Sequence, residues 1–345
     1  MLGIVFTPMT PPIDATSGEY EIPGERELLQ RYVDLFERHF ARHYTSKHLP
    51  PRRAIHAKCH ATLRARFEVL DHGDPQLSHG VFEPPATYAA VVRISNGDGP
   101  AGPDTDWVAS IGFALKVFGV LHPKYLAAQG EDTQDFLFLN QPAYIASDIR
   151  DYLSLMQAID GGIFRKALAL VKNFSGLRYR RQASPKDNPL NTYFWGVAPF
   201  RLHDVTVKYL MRPANPEPRQ IPRKRTPDYL KALVKAWIEK RPAEFDVFLQ
   251  KRLLDGTQLR NMPIEDYAVA WDERRSIPVR VGRLSIPVQR VDDEFDRGYG
   301  EPMVFSPWNT TSDFRPLGSL NRARLVIYQI SSSLRSGATV SPFAR

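Results

Sequence analysis

Four short segments of this chain hold residues whose types and spacing could do chemistry. In Asn321-Arg322-Ala323-Arg324-Leu325-Val326-Ile327-Tyr328, a helix would set Arg324 and Tyr328 four apart and so on one face. A guanidinium held against a phenol favours the phenolate, a hard anionic ligand suited to ferric iron, although an isolated Arg-x-x-x-Tyr is ordinarily a surface pair. In Arg53-Ala54-Ile55-His56-Ala57-Lys58 a histidine stands among small and apolar neighbours, where a satisfied core imidazole is the common outcome and proton transfer the sharper one. In Val91-Val92-Arg93-Ile94-Ser95 the strand period of two puts Arg93 and Ser95 on one face, with Val92 and Ile94 on the other. An arginine and a hydroxyl on a buried face need a polar partner. In Asp135-Phe136-Leu137-Phe138-Leu139-Asn140-Gln141-Pro142 an apolar strand ends in an amide before a proline, which suits a turn as well as a functional group.

Periodicity supplies the elements that must position these residues. Leu28, Leu29, Tyr32, Val33, Leu35, Phe36 and Phe40 recur at helical spacing over Glu25 to Tyr44, after Pro23-Gly24. Ser147 to Ile159, Pro227 to Glu239 and Ser319 to Arg335 also read as helices, with Thr226-Pro227 expected as cap and first-turn proline of the second. Stretches rich in β-branched and aromatic residues predict strands at Ala65 to Leu70, Tyr88 to Ser95, Ile111 to Phe118, Asp135 to Leu139, Thr192 to Val197, Val205 to Leu210, Phe245 to Lys251 and Ile277 to Val288. The sequence has no internal repeat, and its 29 prolines cluster at segment ends. An all-β core with long helical excursions implies one closed antiparallel barrel with attached helices, an α+β arrangement, over alternating βαβ units.

Taken together, RAIHAK, VRIS, FLFLNQP, Phe305-Ser306-Pro307 and RLVIY resemble the catalase family in order and spacing, across about residues 50 to 330. The resemblance implies a closed eight-stranded barrel and a haem, of the b type, whose iron is held by Tyr328. Tyrosine is that family's known axial ligand, so the assignment comes with the likeness and not from spacing. It further implies His56 and Asn140 as the groups acting on peroxide, Ser95 as the acceptor that fixes the His56 tautomer, Arg53 and Arg93 on the haem propionates, Arg324 behind the ligand, and Tyr144 packed on the haem. Common catalases have a glycine-rich stretch where this chain has Cys59 to Arg64, and phenylalanine where it has Val326. Only 17 residues follow Tyr328, so the large C-terminal helical region is expected to be absent, as in short catalase-related haem peroxidases of bacteria. Ile55 replaces the threonine of the branch that rearranges fatty-acid hydroperoxides. Implied substrates are hydrogen peroxide or organic hydroperoxides, with an organic electron donor. Two alternatives stand beside peroxide cleavage: that rearrangement, and haem binding without turnover. A third reading makes the chain an unrelated basic binding domain.

Composition bounds the rest. A chain of 345 residues that is 43% hydrophobic can bury a sizeable core, and residues 1–345 are expected to form one haem domain: an arm and helix over 1–49, the barrel over 50–290, and a wrapping segment with the tyrosine helix over 291–345. The sequence contains no run of roughly 18 uncharged apolar residues, and the opening MLGIVFTPMTPPID has neither basic flank nor cleavage site, so a cytoplasmic protein without a transmembrane segment is expected. One cysteine, Cys59, excludes an intrachain disulfide and reads as a small core filler. Net charge +8 would suit an anionic partner, yet the basic runs Arg178 to Arg181 and Arg223 to Arg225 sit in polar, proline-rich stretches and read as solvated loops, without a nucleic-acid partner. His60, His72, His79 and His203 lack metal-ligand spacing, and Gly97-Asp98-Gly99 and Gly161-Gly162 read as turns. A homo-oligomer is compatible with all of this.

Overall fold

The computed structural model describes residues 11–43, 53, 56–97, 104, 110–126, 132–160, 186–219, 221–254 and 261–336. Ten strands form one sheet: β1 (Cys59–Val69), β2 (Ala86–Asn96), β3 (Ile111–Phe118), β4 (Thr133–Leu139), β5 (Phe194–Trp195), β6 (Phe200–Leu202), β7 (Val205–Pro213), β8 (Ala243–Lys251), β9 (Val279–Ile286) and β10 (Phe314–Pro316). All pairings are antiparallel, and the β7–β8 pairing closes β1-β2-β3-β4-β5-β7-β8-β9 into an eight-stranded barrel. Beyond the barrel, β6 and β10 extend the sheet from β7.

Eight strands leave an interior that side chains fill. Here the fill is aromatic and branched: Leu63, Phe67, Val92, Ile94, Phe113, Phe136, Tyr209, Phe245 and Leu284 form one buried cluster. The Tyr209 hydroxyl both accepts from the Leu137 amide and donates to its carbonyl, which satisfies the one polar atom that this ring brings into the barrel. At Gly282 a Cβ would stand 2.7 Å from the Glu68 carbonyl oxygen, so glycine permits the close approach of β9 to β1.

Four longer helices accompany the barrel: α1 (Glu25–His43), α2 (Ile149–Asp160), α3 (Tyr229–Ile238) and α4 (Ser319–Ser336). Helix α1 starts after Gly24 at φ 71°, and Glu25 accepts from the Ile22 amide at 3.0 Å, a cap that also favours the positive end of the helix dipole. The apolar stripes of α1, α2 and α4 meet in a second core of Leu29, Tyr32, Val33, Phe36, Ile149, Leu153, Val326 and Ile330. Arg322 locks α4 to the N-terminal arm through Glu19 (2.7 Å) and Glu25 (2.6 Å) and to the segment before β9 through Glu265 (3.2 Å), all buried. No helix among the described residues is long and apolar enough to cross a membrane.

Each expected strand and helix is present, most with ends that shift by one to three residues; β1 starts at Cys59, six residues before Ala65, and the strand expected over Thr192 to Val197 is only Phe194–Trp195. Helix α3 also differs in detail: its N-cap is Asp228, and Thr226-Pro227 forms the turn before it, with the Thr226 carbonyl accepting from the Tyr229 amide. The short strands β6 and β10 carry too few residues for a period to register. Arg223 to Arg225 do lie outside helix and strand, whereas Arg178 to Arg181 and Gly161-Gly162 lie outside the described residues, as do Tyr44, Ile55, Asp98 and Gly99.

Candidate functional site

The alternation on β2 decides where the site lies. Val92 and Ile94 point into the barrel core, so Arg93 and Ser95 emerge on the opposite face, towards the helical layer. Between that face and helices α1, α2 and α4 lies a cavity of about 180 Å³. His56, Ser95, Arg53, Arg93, Tyr144, Arg324 and Tyr328 all line it, brought from four parts of the chain. Asn140 does not line it: the residue before it, Leu139, does.

His56 has φ 59°, a left-handed conformation that histidine tolerates only when its surroundings impose it. Two contacts do so from β2. Arg93 donates to the carbonyls of His56 (2.9 Å) and Ala57 (3.4 Å), and the Ser95 hydroxyl lies 3.2 Å from His56 Nδ1. On β3, Gly112 leaves room for the imidazole, since a Cβ there would collide with its Nδ1 and Cε1. Burial, with the charges of Arg93, Arg324 and Arg53, pushes His56 down to about 3, which keeps the ring neutral and able to accept a proton.

Asn140 ends β4. Its Oδ1 accepts from the Ile111 amide at 2.8 Å, and its own amide donates to the Ile111 carbonyl at 3.2 Å. The side chain thus continues the β3–β4 ladder by one step, with its amide hydrogens left over as donors.

On α4, Arg324 and Tyr328 face the cavity one turn apart. Arg324 Nη2 lies 3.4 Å from the Tyr328 hydroxyl, and Arg324 Nη1 is held by Asn321 at 3.0 Å. Burial opposes the Arg324 charge, but the phenols of Tyr328, Tyr209 and Tyr144 outweigh it and raise the group further. Tyr144 is not a barrel residue: it follows β4, bonds through its amide to the Tyr267 carbonyl, and packs its ring 5.7 Å from Tyr152.

At the mouth, Arg53 bonds Glu301 at 3.2 Å and the Gly300 carbonyl at 3.3 Å, and also reaches the Met303 carbonyl. Burial and the charges of Arg93 and Arg335 push Arg53 down to about 9; because a guanidinium stays protonated in proteins, the consequence is a demand for anions. The described residues that line the cavity include four arginines, Arg53, Arg93, Arg324 and Arg335, and no carboxylate.

Sequence reasoning missed Arg335, Gly112, Glu301, Tyr32 and Tyr152. Arg335 had a usable signal, since seven residues after Tyr328 is two helical turns along the same face. A glycine inside an apolar strand, as at Gly112, was another. Glu301 had none, because its partners Arg53 and Arg93 are distant in sequence.

Compared with known proteins, the sequence matches no protein-family model and no curated protein. Solved structures do match in fold. A fungal catalase superposes with a TM-score of 0.65 at 15% identity, over 85% of this chain and 61% of that one. Catalase A from Saccharomyces cerevisiae gives 0.65 at 16% identity, over 85% and 62%. The chain therefore has the catalase fold, and the match spans about three fifths of the length of those proteins.

The cavity's residues fit a haem, the group that this fold brings into question. A phenol beside a guanidinium on one wall suits ferric iron, Phe36, Leu137, Leu139, Val304 and Ile327 offer apolar surface for a macrocycle, and the arginine mouth suits its two carboxylates. Arg93 Nε is buried without a hydrogen-bond partner, a donor still unused at that mouth.

Proposed function

We propose that this chain binds a haem through Tyr328 and decomposes peroxides, as a catalase-type peroxidase acting on hydrogen peroxide or organic hydroperoxides. The observation that carries the reading is a neutral, anchored imidazole across one cavity from an arginine-backed phenol. Bound haem would supply the redox chemistry. Tyr328 would ligate the iron, with Arg324 stabilising the phenolate, while Arg53, Arg93 and Arg335 would hold the propionates and Tyr144 would pack on the ring.

With Nδ1–H given to Ser95 Oγ, 3.2 Å away, His56 would keep Nε2 as the lone pair that accepts a proton. The imidazole would take the proton from the hydroxyl oxygen of a bound peroxide and return it to the oxygen that departs as water or an alcohol, while a bound haem would supply the two electrons for O–O cleavage and retain the other oxygen. Asn140 sits one residue past the lining with Oδ1 fixed on the Ile111 amide, so its Nδ2 would serve the peroxide only after the side chain turns towards the cavity. Burial serves this step, because a histidine already protonated at neutral pH could not take the proton. An organic donor would be needed to complete a peroxidase cycle, whereas a second peroxide completes a catalase cycle. Haem binding without turnover would not need the His56 anchors, and this favours the catalytic reading over the storage one.

The test is direct. The full chain, purified with ample haem supply, should show a Soret band, release oxygen from hydrogen peroxide or oxidise a dye donor with cumene hydroperoxide, and lose about 100-fold or more of that activity in His56→Ala with haem retained. Protein that rejects added haem would overturn the reading, and unchanged rates in His56→Ala would remove His56 from it.

A further inference from the structure

The three arginines at the cavity mouth are held by one short segment of chain. Glu301 bonds Arg93 Nη2 through Oε1 at 2.8 Å and Arg53 Nη1 through Oε2 at 3.2 Å, a carboxylate bridging two guanidiniums. Its own carbonyl accepts from Arg335 Nη1 at 2.9 Å, and the carbonyls of Gly300 and Met303 take the second terminal nitrogen of Arg53. The other terminal nitrogen of Arg93 is committed to the His56 carbonyl. An incoming carboxylate therefore cannot reach Arg53 and Arg93 together in the bidentate manner that guanidiniums favour unless the Glu301 side chain leaves.

Glu301 is built to leave. Its side chain keeps 32% of its surface exposed, against 11% for Arg53 and 3% for Arg93, so the acid can turn to water while the arginines stay. It follows a single turn of wide helix at Asp296–Gly300, anchored elsewhere by Asp296 accepting from the Thr62 amide at 2.6 Å. That anchor fixes the backbone on the barrel and leaves the Glu301 side chain to move.

We infer that Glu301 occupies the place of a ligand carboxylate and is exchanged for it, so that it sets which ligands the arginine mouth accepts. A porphyrin that brings two carboxylates replaces the bridge at both arginines; one whose carboxylates are blocked leaves Glu301 in place and gains nothing there. This rests on the haem reading above and adds a selectivity device to it. Three guanidiniums against one carboxylate leave the mouth two positive charges in excess, so the exchange favours a dianionic ligand.

The experiment measures transfer of haemin from the loaded full chain to excess apomyoglobin, for the parent, Glu301→Gln and Glu301→Asp, with the dimethyl ester of haemin as the second probe. Glu301→Gln is expected to release haemin about tenfold more slowly, because the internal competitor has lost its charge. Ester release should be equal in parent and Glu301→Gln. Glu301→Asp, too short to bridge both arginines, should fall between the two for haemin. Equal or faster haemin release from Glu301→Gln would overturn the exchange while leaving haem binding intact. Failure of the parent to load haemin would overturn both readings.

Discussion

Gly112 on β3 pairs directly with Ser95 on β2, and the His56 imidazole lies across the gap where a Gly112 side chain would be. One strand position thus supplies the space and its cross-strand neighbour supplies the hydrogen bond at 3.2 Å. Gly112→Ala should push the ring off Ser95 while leaving Tyr328 and the arginines untouched. A displacement of about 1 Å at a catalytic group can cost about 100-fold, so peroxide turnover should fall by one to two orders of magnitude with haem content unchanged. Steady-state rates normalised to the Soret absorbance check this; parental rates would mean that the ring position is irrelevant to turnover.

Acid should weaken the fold through two histidines. Burial and three arginines push His56 down to about 3, and burial pushes His60 down to about 4 against the pull of Asp104, from 6.5 for a free imidazole. Between about pH 6.5 and 4 the unfolded chain binds protons that the folded chain refuses, so the stability they contribute is intact above 6.5 and lost as pH falls. Melting temperature should decline across that window, and less steeply in His56→Phe. Parallel curves for parent and variant would show that His56 charges readily in the fold.

How far the sequence could be read follows from the range of the forces involved. Strand and helix positions were legible because alternation on β2 and the helical stripe of α1 are local patterns that burial on one face imposes. His56, Arg93, Ser95, Arg324 and Tyr328 were legible because a resemblance in ordered motifs put them together, and the cavity gathers them. Asn140 is placed with its side chain on the β3–β4 ladder, one residue past the lining, which no period could announce. Glu301 bridging Arg53 and Arg93 is a contact across more than two hundred residues, set by closure of the barrel and invisible to any local window.

Arg324 and Tyr328 make separable contributions. Tyr328→Phe removes the one phenol on that wall backed by a guanidinium at 3.4 Å, so haem occupancy or the ferric spectrum should change sharply. Arg324→Ala leaves the proposed ligand but removes the guanidinium 3.4 Å from its hydroxyl, so haem should transfer to apomyoglobin faster than from the parent. Equal transfer rates would reduce Arg324 to a packing residue, and unaltered haem binding in Tyr328→Phe would place the axial ligand elsewhere.

Two residues before Arg324, Arg322 decides whether α4 presents that pair at all. Its guanidinium, 1% exposed, meets Glu19, Glu25 and Glu265, whose side chains are no more than 6% exposed. Arg315, at 3.1 Å, shares Glu19, so Glu25 and Glu265 depend most on Arg322. Removing one member of such a cluster leaves uncompensated buried charge, and Arg322→Leu should cost about 3–5 kcal/mol in urea unfolding. Burial already raises Glu265 despite Arg322, so in the variant that carboxyl should take up a proton more readily, and the deficit should shrink as pH is lowered. The control is to remove the charges together. Arg322→Met combined with Glu25→Leu and Glu265→Leu should recover most of the loss, since well-packed apolar groups replace a buried ionic cluster at little net cost. If the triple variant is as unstable as Arg322→Leu, then what Glu25 and Glu265 contribute is the hydrogen bonds they accept from the Ile22 and Ser319 amides at the starts of α1 and α4, and not the pairing of charges.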